Sequence, residues 1–502
     1  MTKLREALPD GTLLKAAIPI WAERLAKVAD GLGKAQPQAP ATLQSLSKAL
    51  SGLIQPRDRA QIWLALATLT AQLPFWPDVI ETSRRAEFNA MALIDEVIRY
   101  SSAATLARKV EIVSGAVLVD VGDTVRNPNT TGIQRVVRET CSRWAATHDP
   151  LFVGWIEGWQ GPRPLSMAEQ TALRRGIARP KAVANEIVDS LIIPWRCAYL
   201  IPEVCADWGR AERITAMVEA GAVRASGIGY DLIPISSGET AAKGMAGVFA
   251  RYLTVLRTFR HLSTISAATK IEYGGYLRML RAAGINGPEV RAQLLPTEAS
   301  RSTTDAVANA EARLRVGDFP IVLAVGSHEP RKNHLAILHA CEVLWRRGLR
   351  FSMAFIGGNS WKSEGFMQQL QELAAAGRPV EAISRASDEF LWAAYRVASF
   401  TVFPSLNEGY GLPIAESLSV GTPVITSNFG STKEIADDGG GALLIDPRDD
   451  KSLTDAMAAL LTDGALLKRL RQEAARREPR TWDDYAEQVW RFLVDDDGAP
   501  PA

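Results

Sequence analysis

The chain has 502 residues, 47% hydrophobic and 23% charged, a globular composition that excludes collagen, disordered chains and small secreted scaffolds. Its length predicts about three domains, with cores large enough to fold without disulfide bonds or structural metals. The 57 lysine and arginine residues nearly balance the 56 aspartate and glutamate residues. This balance argues against a protein that coats nucleic acid and leaves room only for a local basic patch.

Cysteine spacing and hydropathy indicate the compartment. The four cysteines, at 141, 197, 205 and 341, have neither zinc-site nor redox-motif spacing, so we expect buried thiols in a reducing compartment. The charged N-terminus lacks the apolar core of a signal peptide. The richest apolar stretch, 62–76, is shorter than a membrane span and predicts a buried helix. We expect a soluble cytoplasmic protein, with membrane-surface docking left open.

The first 110 residues predict a helical region. Phe88, Met91, Ile94 and Ile98 recur at helical spacing within 84–100 and predict one buried helical face. Packing and partner contact are both open roles for this region, which shows no catalytic residue pattern.

After residue 110, strand and helix patterns alternate, which predicts parallel α/β sheets. The first series of strand candidates is 116–121, 151–155, 190–194, 198–202 and the start of 224–235. A polar connection is expected over 296–313. The second series is 320–326, 351–357, 379–384, 400–404, 423–426 and 442–445.

These patterns predict two doubly wound domains that face a cleft, preceded by the helical region. The expected divisions are 1–110 for the helical region, 111–300 for the first α/β domain, 301–480 for the second, and 481–502 for a C-terminal helix and polar tail. Ligands of such sheets bind beyond the carboxyl ends of the strands, which here would line the cleft.

The segment 403–425, FPSLNEGYGLPIAESLSVGTPVI, carries the strongest chemical signal. A strand leads to a loop with Glu408, Gly409 and Gly411, and a helix begins near Leu412 with Glu416 one turn later. Glycines allow close backbone approach, and a helix N-terminus favours a diphosphate. The two carboxylates are placed to hold hydroxyls of a sugar and a ribose. From the residues alone, a turn shaped by Gly and Pro with solvated glutamates remains the alternative.

The loop AVGSHEPRKNH at 324–334 places Arg331 and Lys332 between a strand and a helix. Cations at such a position can neutralise the diphosphate charge that grows as a glycosidic bond breaks. A solvated basic turn is the alternative interpretation. His328 and His334, which flank this loop, are expected to be turn or core histidines.

Residues 320–450 closely resemble retaining GT-B glycosyltransferases of glycosyltransferase family 4, whose Glu-x7-Glu motif matches Glu408 and Glu416. Segments 324–334, 387–405, 427–435 and 443–447 resemble the other parts of the donor domain. The resemblance implies that Lys332 and Arg331 stabilise the leaving diphosphate, that Glu408 holds the donor sugar and that Glu416 holds the ribose. Amides of Gly409, Tyr410, Gly411 and Leu412 would contact sugar or phosphate. Ser327 stands where many members carry an arginine.

The first domain resembles the family more loosely. Segment 117–139 is similar to the first strand, loop and helix of members that use mannose-like or rhamnose-like donors, and it implies that Gly132 faces the donor phosphates across the cleft. Segment 228–234 resembles the strand end at which many members carry a His-Asp pair. Here Tyr230 precedes Asp231, which leaves Asp231 as the polar candidate; a turn-capping role is its alternative.

Together, these resemblances imply a retaining, metal-independent hexosyltransferase with no cofactor, whose donor is a nucleoside-diphosphate sugar carrying a mannose-like or deoxyhexose unit. The expected acceptor is a glycan or lipid-linked glycan in polysaccharide biosynthesis, without nucleic acid and with peripheral membrane contact at the inner face as an open expectation. Another GT-B chemistry, epimerase or phosphorylase, is the first alternative. A catalytically silent glycan-binding subunit is the second.

Overall fold

The computed structural model describes residues 11–127, 131–177, 189–296 and 298–495. Within these ranges the strands form a two-stranded, a seven-stranded and a six-stranded sheet. Some predicted features lie partly outside the described residues: the loop within segment 117–139 at positions 128–130, the connection at 296–313 at position 297, and the polar tail from position 496. The predicted domain boundaries remain predictions.

Helices precede the first described strand, as predicted. They are α1 (Gly11–Gly31), α2 (Leu43–Leu53), α3 (Arg59–Thr70), α4 (Trp76–Ala86), α5 (Ala92–Tyr100) and α6 (Ala103–Ala107). The helix predicted within 62–76 is buried but ends at Thr70, because Ala71 adopts a left-handed conformation (φ 50°).

The continuous helical face predicted over 84–100 is wrong. Helix α4 ends at Ala86, α5 begins at Ala92, and Phe88 between them is 92% exposed. The Asn89 side chain accepts a hydrogen bond from the Met91 N–H at 2.9 Å, a local turn that competes with helix formation. Only the second half of the pattern, around the fully buried Ile94, packs as expected.

The helical region is joined to the next domain by a short parallel pair, β1 (Lys109–Ser114) and β5 (Ser190–Trp195). The predicted strand at 190–194 therefore forms, but outside the main sheet. Buried side chains of α1–α6 and of the seven-stranded sheet belong to one continuous apolar core. The helical region thus shares its core with the seven-stranded sheet.

The first domain is built on the seven-stranded sheet, in the order β4-β3-β2-β6-β7-β8-β9. Its strands are parallel except β4, which runs antiparallel to β3. The strands are β2 (Val117–Asp120), β3 (Leu151–Trp155), β4 (Pro162–Pro164), β6 (Cys197–Ile201), β7 (Val223–Gly229), β8 (His261–Thr264) and β9 (Glu289–Ala292). The helices are α7 (Gly132–Thr147), α8 (Met167–Arg174), α9 (Trp208–Glu219), α10 (Ile233–Ser236), α11 (Met245–Leu256) and α12 (Ala267–Ala282).

The second domain is built on the six-stranded, fully parallel sheet, in the order β12-β11-β10-β13-β14-β15. All six predicted strands are confirmed as β10 (Ile321–Val325), β11 (Ser352–Ile356), β12 (Val380–Ile383), β13 (Phe400–Phe403), β14 (Val424–Ser427) and β15 (Ala442–Ile445). The helices are α13 (Thr304–Leu314), α14 (His334–Arg346), α15 (Glu364–Ala375), α16 (Asp388–Val397), α17 (Leu412–Ser419), α18 (Gly430–Asp437), α19 (Asp450–Thr462) and α20 (Gly464–Ala475). The strand order reverses between β10 and β13, which is where such sheets bind ligands.

The connection predicted at 296–313 is wrong in its second half, because α13 begins at Thr304. The Thr303 hydroxyl caps this helix by accepting from the Ala306 N–H. Its buried residues include Ala310 and Leu314, and the helix packs on α16. An alanine-rich contact face does not produce the large apolar periodicity that reveals a helix in sequence.

The chain returns to the first domain at its C-terminal end through α21 (Trp482–Trp490) and a π-helix at Arg491–Asp495. The Trp144 indole on α7 donates to the Ala486 carbonyl at 2.9 Å. The His148 ring stacks on Trp490 with a centroid distance of 4.1 Å. This segment ties the end of the second domain to the first domain.

Arg24 is expected to be a main support of the helical region. Its buried guanidinium donates to the carbonyls of Leu69, Thr105 and Arg108 at 2.7–2.9 Å. Arg24→Met would leave these carbonyls unpaired and lower the free energy of unfolding by about 3 kcal/mol. Urea denaturation checks this, with Lys48→Met at an exposed α2 position as control. Equal midpoints for the two variants would contradict the assignment.

Candidate active site

The candidate site lies at the reversal of strand order in the second domain. Strands β10 and β13 are hydrogen-bonded neighbours, with Val322 opposite Phe400 and Leu323 opposite Thr401. Because both strands are parallel, the loops that follow them, 326–333 and 404–411, emerge side by side. The structure therefore brings together the two loops that the sequence marked separately.

The Glu408 carboxylate joins these loops. It accepts hydrogen bonds from Lys332 Nζ at 2.6 Å and from Ser405 Oγ at 2.5 Å, and it pairs with Arg331 Nη1 at 2.6 Å. The three charged side chains are only 7%, 10% and 15% exposed for Glu408, Lys332 and Arg331. We call these four residues the Glu408 cluster.

Arg331 fixes the cluster from several directions. Its Nη2 pairs with Glu329 at 2.6 Å, and its Nη1 also donates to the Asn407 carbonyl at 2.9 Å. The Arg331 carbonyl in turn accepts from the Leu406 N–H and the Ser405 hydroxyl. Each loop thus supplies hydrogen-bond partners to the other, so their relative position is rigidly defined.

Neighbouring charges stabilise the ionised forms of Glu408 and Arg331 against burial, whereas burial lowers the pKa of Lys332 although Glu408 opposes that shift. Burial opposes ionisation of Glu408, but the cations Arg331 and Lys332 outweigh it and lower the pKa of Glu408 to about 2. Burial also opposes the charged form of Arg331, whose pKa is nevertheless raised because Glu408 and Glu329 lie beside it. At neutral pH Glu408 is therefore a hydrogen-bond acceptor and not an acid.

Gly326, at the end of β10, has a backbone conformation that favours glycine. Its φ of 146° disfavours other residues, and a Cβ atom there would lie 3.5 Å from Lys332 Cε. The lysine stem lies along this glycine, and its ammonium lies 4.6 Å from the centre of the Phe403 ring. Ser327 is exposed and donates to Glu329 at 3.2 Å, which places it at the edge of the Glu408 cluster.

The two histidines beside this loop are core residues, as predicted. His328 and His334 are buried and pack with Phe366. Burial lowers the pKa of His334 to about 3, so it is neutral at physiological pH.

The glycines after Glu408 meet the first domain. A Cβ atom on Gly409 would lie 2.6 Å from Oδ2 of Asp231, so only glycine allows this approach. The Gly409 carbonyl accepts from the Ser266 and Thr269 hydroxyls at 2.7 and 3.0 Å. Asp231 is therefore at the cleft, opposite the Glu408 loop.

Asp231 lies in a mostly buried position after β7. Burial raises its pKa to about 6, aided by the nearby carboxylates of Glu408 and Glu272 and opposed by Arg331. Its Oδ1 accepts from the Ile233 N–H at 3.2 Å. Asp231 thus caps a turn and faces the site at once, so both of its predicted roles fit the geometry.

Helix α17 begins where the sequence placed it. Gly411 precedes it with a φ of 113°, and Leu412 is its first residue. The Tyr410 side chain is buried, and its hydroxyl donates to the Leu295 carbonyl at 2.8 Å. The side chain of Tyr410 therefore packs between the domains, which leaves only its backbone for the predicted ligand contact.

Glu416 has a separate set of partners. Its carboxylate forms an ion pair with Arg135 on α7 of the first domain and accepts from the Tyr395 hydroxyl at 2.8 Å. Gly132 begins α7 one turn before Arg135 and lies against Leu412. A Cβ atom added to Gly132 would lie 3.7 Å from Leu412 Cδ1. Gly132 and Glu416 are thus on facing sides of one interdomain contact; their predicted contacts with the donor phosphates and the ribose stay predictions.

Sequence reasoning missed Glu329, Ser405, Asn407 and Arg135. Arg135 carried a signal, because it follows Gly132 by three residues and so shares its helix face. Glu329 and Ser405 carried none, since their roles depend on how two distant loops meet.

The described ranges contain neither a cluster of metal-ligating side chains nor a membrane-spanning helix. No group of three or more His, Cys, Asp or Glu side chains there is arranged to hold a metal ion. Likewise, none of the helices in those ranges is both long and apolar enough to cross a membrane. The four cysteines are free and buried, as predicted.

Comparison with known proteins identifies the second domain. Residues 308–477 match the family described as Glycosyl transferases group 1, a range that includes the Glu408 cluster and Glu416. The serotype-specific mannosyltransferase WbdA of Escherichia coli is 26% identical over 372 residues, covering 71% of this chain and 44% of that protein. D-inositol 3-phosphate glycosyltransferase of Acidothermus cellulolyticus is 31% identical over 191 residues, 36% of this chain and 43% of that protein. The chain spans less than half the length of these curated relatives.

Structural comparison identifies the fold. Sucrose-phosphate synthase from Thermosynechococcus elongatus matches with a TM-score of 0.53 at 17% identity, covering 78% of this chain and 100% of that chain. The chain therefore has the GT-B fold, with two Rossmann-like domains, as the resemblance implied.

The Asp231 pKa predicts a pH-dependent stability. A folded-state pKa near 6, above the ordinary value of 3.8, means that ionising Asp231 disfavours the folded state as pH rises from about 4 to 6. Asp231→Asn should therefore raise the free energy of unfolding at pH 7.5 by about 1–3 kcal/mol, and this gain should vanish near pH 4. Thermal unfolding across this range, with exposed Asp318→Asn as control, measures it. A gain that is independent of pH would contradict the assignment.

Proposed function

We propose that this chain, a GT-B glycosyltransferase, transfers a hexose from a nucleoside-diphosphate sugar to a hydroxyl group of a glycan or lipid-linked glycan, with retention at the anomeric carbon. The observation that carries the proposal is the Glu408 cluster, in which one ionised carboxylate and two cations meet at the reversal of strand order. Its position suits a ligand that carries both sugar hydroxyls and phosphates.

Lys332 and Arg331 are the groups that would stabilise the leaving diphosphate. Each uses part of its hydrogen-bonding capacity on Glu408, and Arg331 also on Glu329. An ammonium has three N–H donors and a guanidinium has five, so donors remain for phosphate oxygens. Because these side chains are largely buried, their charges act strongly on the anionic transition state.

Glu408 would hold the donor sugar. With a pKa of about 2, its carboxylate is ionised and accepts hydrogen bonds from sugar hydroxyls. Its negative charge does not repel the positive charge that develops at the anomeric carbon. Ser405 and the cations keep it in one orientation. This preorganisation is what a site needs to bind the transition state better than the substrate.

The expected reaction needs no protein base. The bond between the anomeric carbon and the diphosphate oxygen breaks while a bond to the acceptor oxygen forms on the same face. The acceptor proton passes to the leaving diphosphate, whose oxygen becomes basic. Asp231, opposite Gly409 across the cleft, is placed to orient a hydroxyl of acceptor or donor, and Glu416 is the expected ribose ligand.

A mannose-like donor and a polysaccharide acceptor are the proposed substrates. They rest on the similarity to a serotype-specific mannosyltransferase and on the segment at 117–139. The free, buried cysteines fit a reducing compartment, so we infer that the protein acts in the cytoplasm. A hydrolysis screen across nucleotide sugars, read as released diphosphate, tests the donor. Turnover of donor without any diphosphate release would favour an epimerase and contradict the proposal.

Two substitutions separate the phosphate and sugar contacts. Lys332→Ala should lower turnover by about 10²–10³, because a preorganised charge beside the leaving group is lost. Glu408→Gln should also lower turnover but should not weaken binding of the bare nucleoside diphosphate, since it removes a negative charge from the site. Steady-state kinetics and calorimetric titration measure both effects.

The matched control for this pair is Lys362→Ala, outside the Glu408 cluster. If folded Lys332→Ala turns over donor at the wild-type rate, the loop does not stabilise the diphosphate and the site assignment fails.

Activity is expected to persist after exhaustive chelation. Lys332 and Arg331 supply positive charge at the position where a metal ion would otherwise neutralise the diphosphate. The assay compares donor hydrolysis before and after chelation. Complete loss that magnesium or manganese restores would show that the two cations are insufficient.

A further inference from the structure

One segment of the first domain is strongly basic. Residues 241–285 contain seven lysine and arginine residues but a single carboxylate, Glu272, in a chain whose net charge is +1. The segment comprises α11, β8 and α12. Its charge is therefore a local feature that the whole-chain balance conceals.

Helix α12 presents part of this charge on one exposed face. Lys270, Arg278 and Arg281 are exposed, and a rotation of 100° per residue places them within about 80° of one another. On the same scale Ile271 lies at about 100° and Met279 at about 180° from Lys270, so both extend the exposed surface on one side of the cations. These two side chains are 75% and 61% exposed. We call these five residues the α12 face.

The α12 face keeps its positive charge uncompensated. None of its three cations forms an ion pair with any residue in the part of the chain that the structure describes. Glu272 faces inward, where it accepts from the Leu232 N–H at 3.0 Å and from the Ser236 hydroxyl at 3.0 Å. Two large apolar side chains beside free cations remain in contact with solvent.

The α12 face begins at the cleft. The Ser266 hydroxyl, which caps α12, also donates to the Gly409 carbonyl. The first amides of the helix, Ala267 and Ala268, donate to Glu434 of the second domain at 2.9 and 3.1 Å. Lys270 and Ile271 thus lie about one helical turn from the Glu408 loop.

We propose that the α12 face docks the protein onto an anionic lipid bilayer, so that the cleft opens beside the headgroups. Cations match anionic headgroups, and the exposed isoleucine and methionine match the boundary of the acyl chains. Nucleic acid would satisfy the cations but not the apolar pair. The inference that this surface serves a lipid-carried acceptor rests on the proposed function; the docking itself does not.

Vesicle co-sedimentation tests the docking without any donor or acceptor. The probes are vesicles of phosphatidylcholine with 30% phosphatidylglycerol and vesicles of phosphatidylcholine alone. The wild-type chain should bind the anionic vesicles, and K270Q/R278Q/R281Q should lower the partition coefficient by roughly 10²-fold, since each cation near an anionic surface contributes about a fivefold factor. Ile271→Ser with Met279→Ser should also weaken binding, and should leave the remaining binding more sensitive to salt.

The control removes three exposed cations of the second domain, K468Q/R469Q/R476Q, and should bind vesicles like the wild type. Donor hydrolysis in detergent-free solution should be the same for all these variants, which separates failed docking from failed catalysis. Wild-type binding by the α12 triple variant would overturn the proposal. So would binding to a duplex oligonucleotide that displaces the vesicles and is lost in the same variant, because the face would then recognise nucleic acid.

Discussion

The ionised carboxylate of Glu408, held between Lys332 and Arg331, is the interaction on which the rest of the site depends. Buried charges are costly to desolvate, and their attraction repays that cost only when geometry and hydrogen bonding are nearly complete. Here Ser405, Glu329 and the backbone of both loops supply the remaining hydrogen bonds and ion pairs. The arrangement fixes where the loops after β10 and β13 lie, and those loops form the floor of the crevice that the reversal of strand order creates.

The same loop also defines the relation between the two domains. Asn407 donates to Ser237, and the Gly409 carbonyl accepts from Ser266 and Thr269, while Asp231 meets Gly409 where no other residue fits. The five residues 405–409 therefore lie beside the proposed positions of the phosphate, the sugar and the acceptor. A change of backbone conformation in this segment would therefore alter the phosphate, sugar and acceptor positions together.

Local patterns in the sequence predicted the parallel strands of the second domain and the two loops, because period and turn chemistry depend on near neighbours. The incorrect and missed predictions concern features that these local patterns do not reveal. Phe88 followed a helical period that the Asn89 turn interrupts, and α13 packs through small residues such as Ala310 that leave no periodic signal. Glu329 and Arg135 gain their roles only when segments that are distant in sequence fold against one another. The sequence therefore identified charged residues of the site, but it could not identify which charged residues pair with one another.

The ion pair between Arg135 and Glu416 has a consequence for how the two domains move. Glu416 belongs to the second domain and is the expected ribose ligand, whereas Arg135 belongs to the first. Any ligand that engages this carboxylate changes the free energy of the contact between the domains, and by reciprocity the opening of the domains changes the affinity for that ligand. Nucleotide binding and cleft opening then share one equilibrium, so Arg135 helps to set the affinity for the nucleotide through its contact with Glu416.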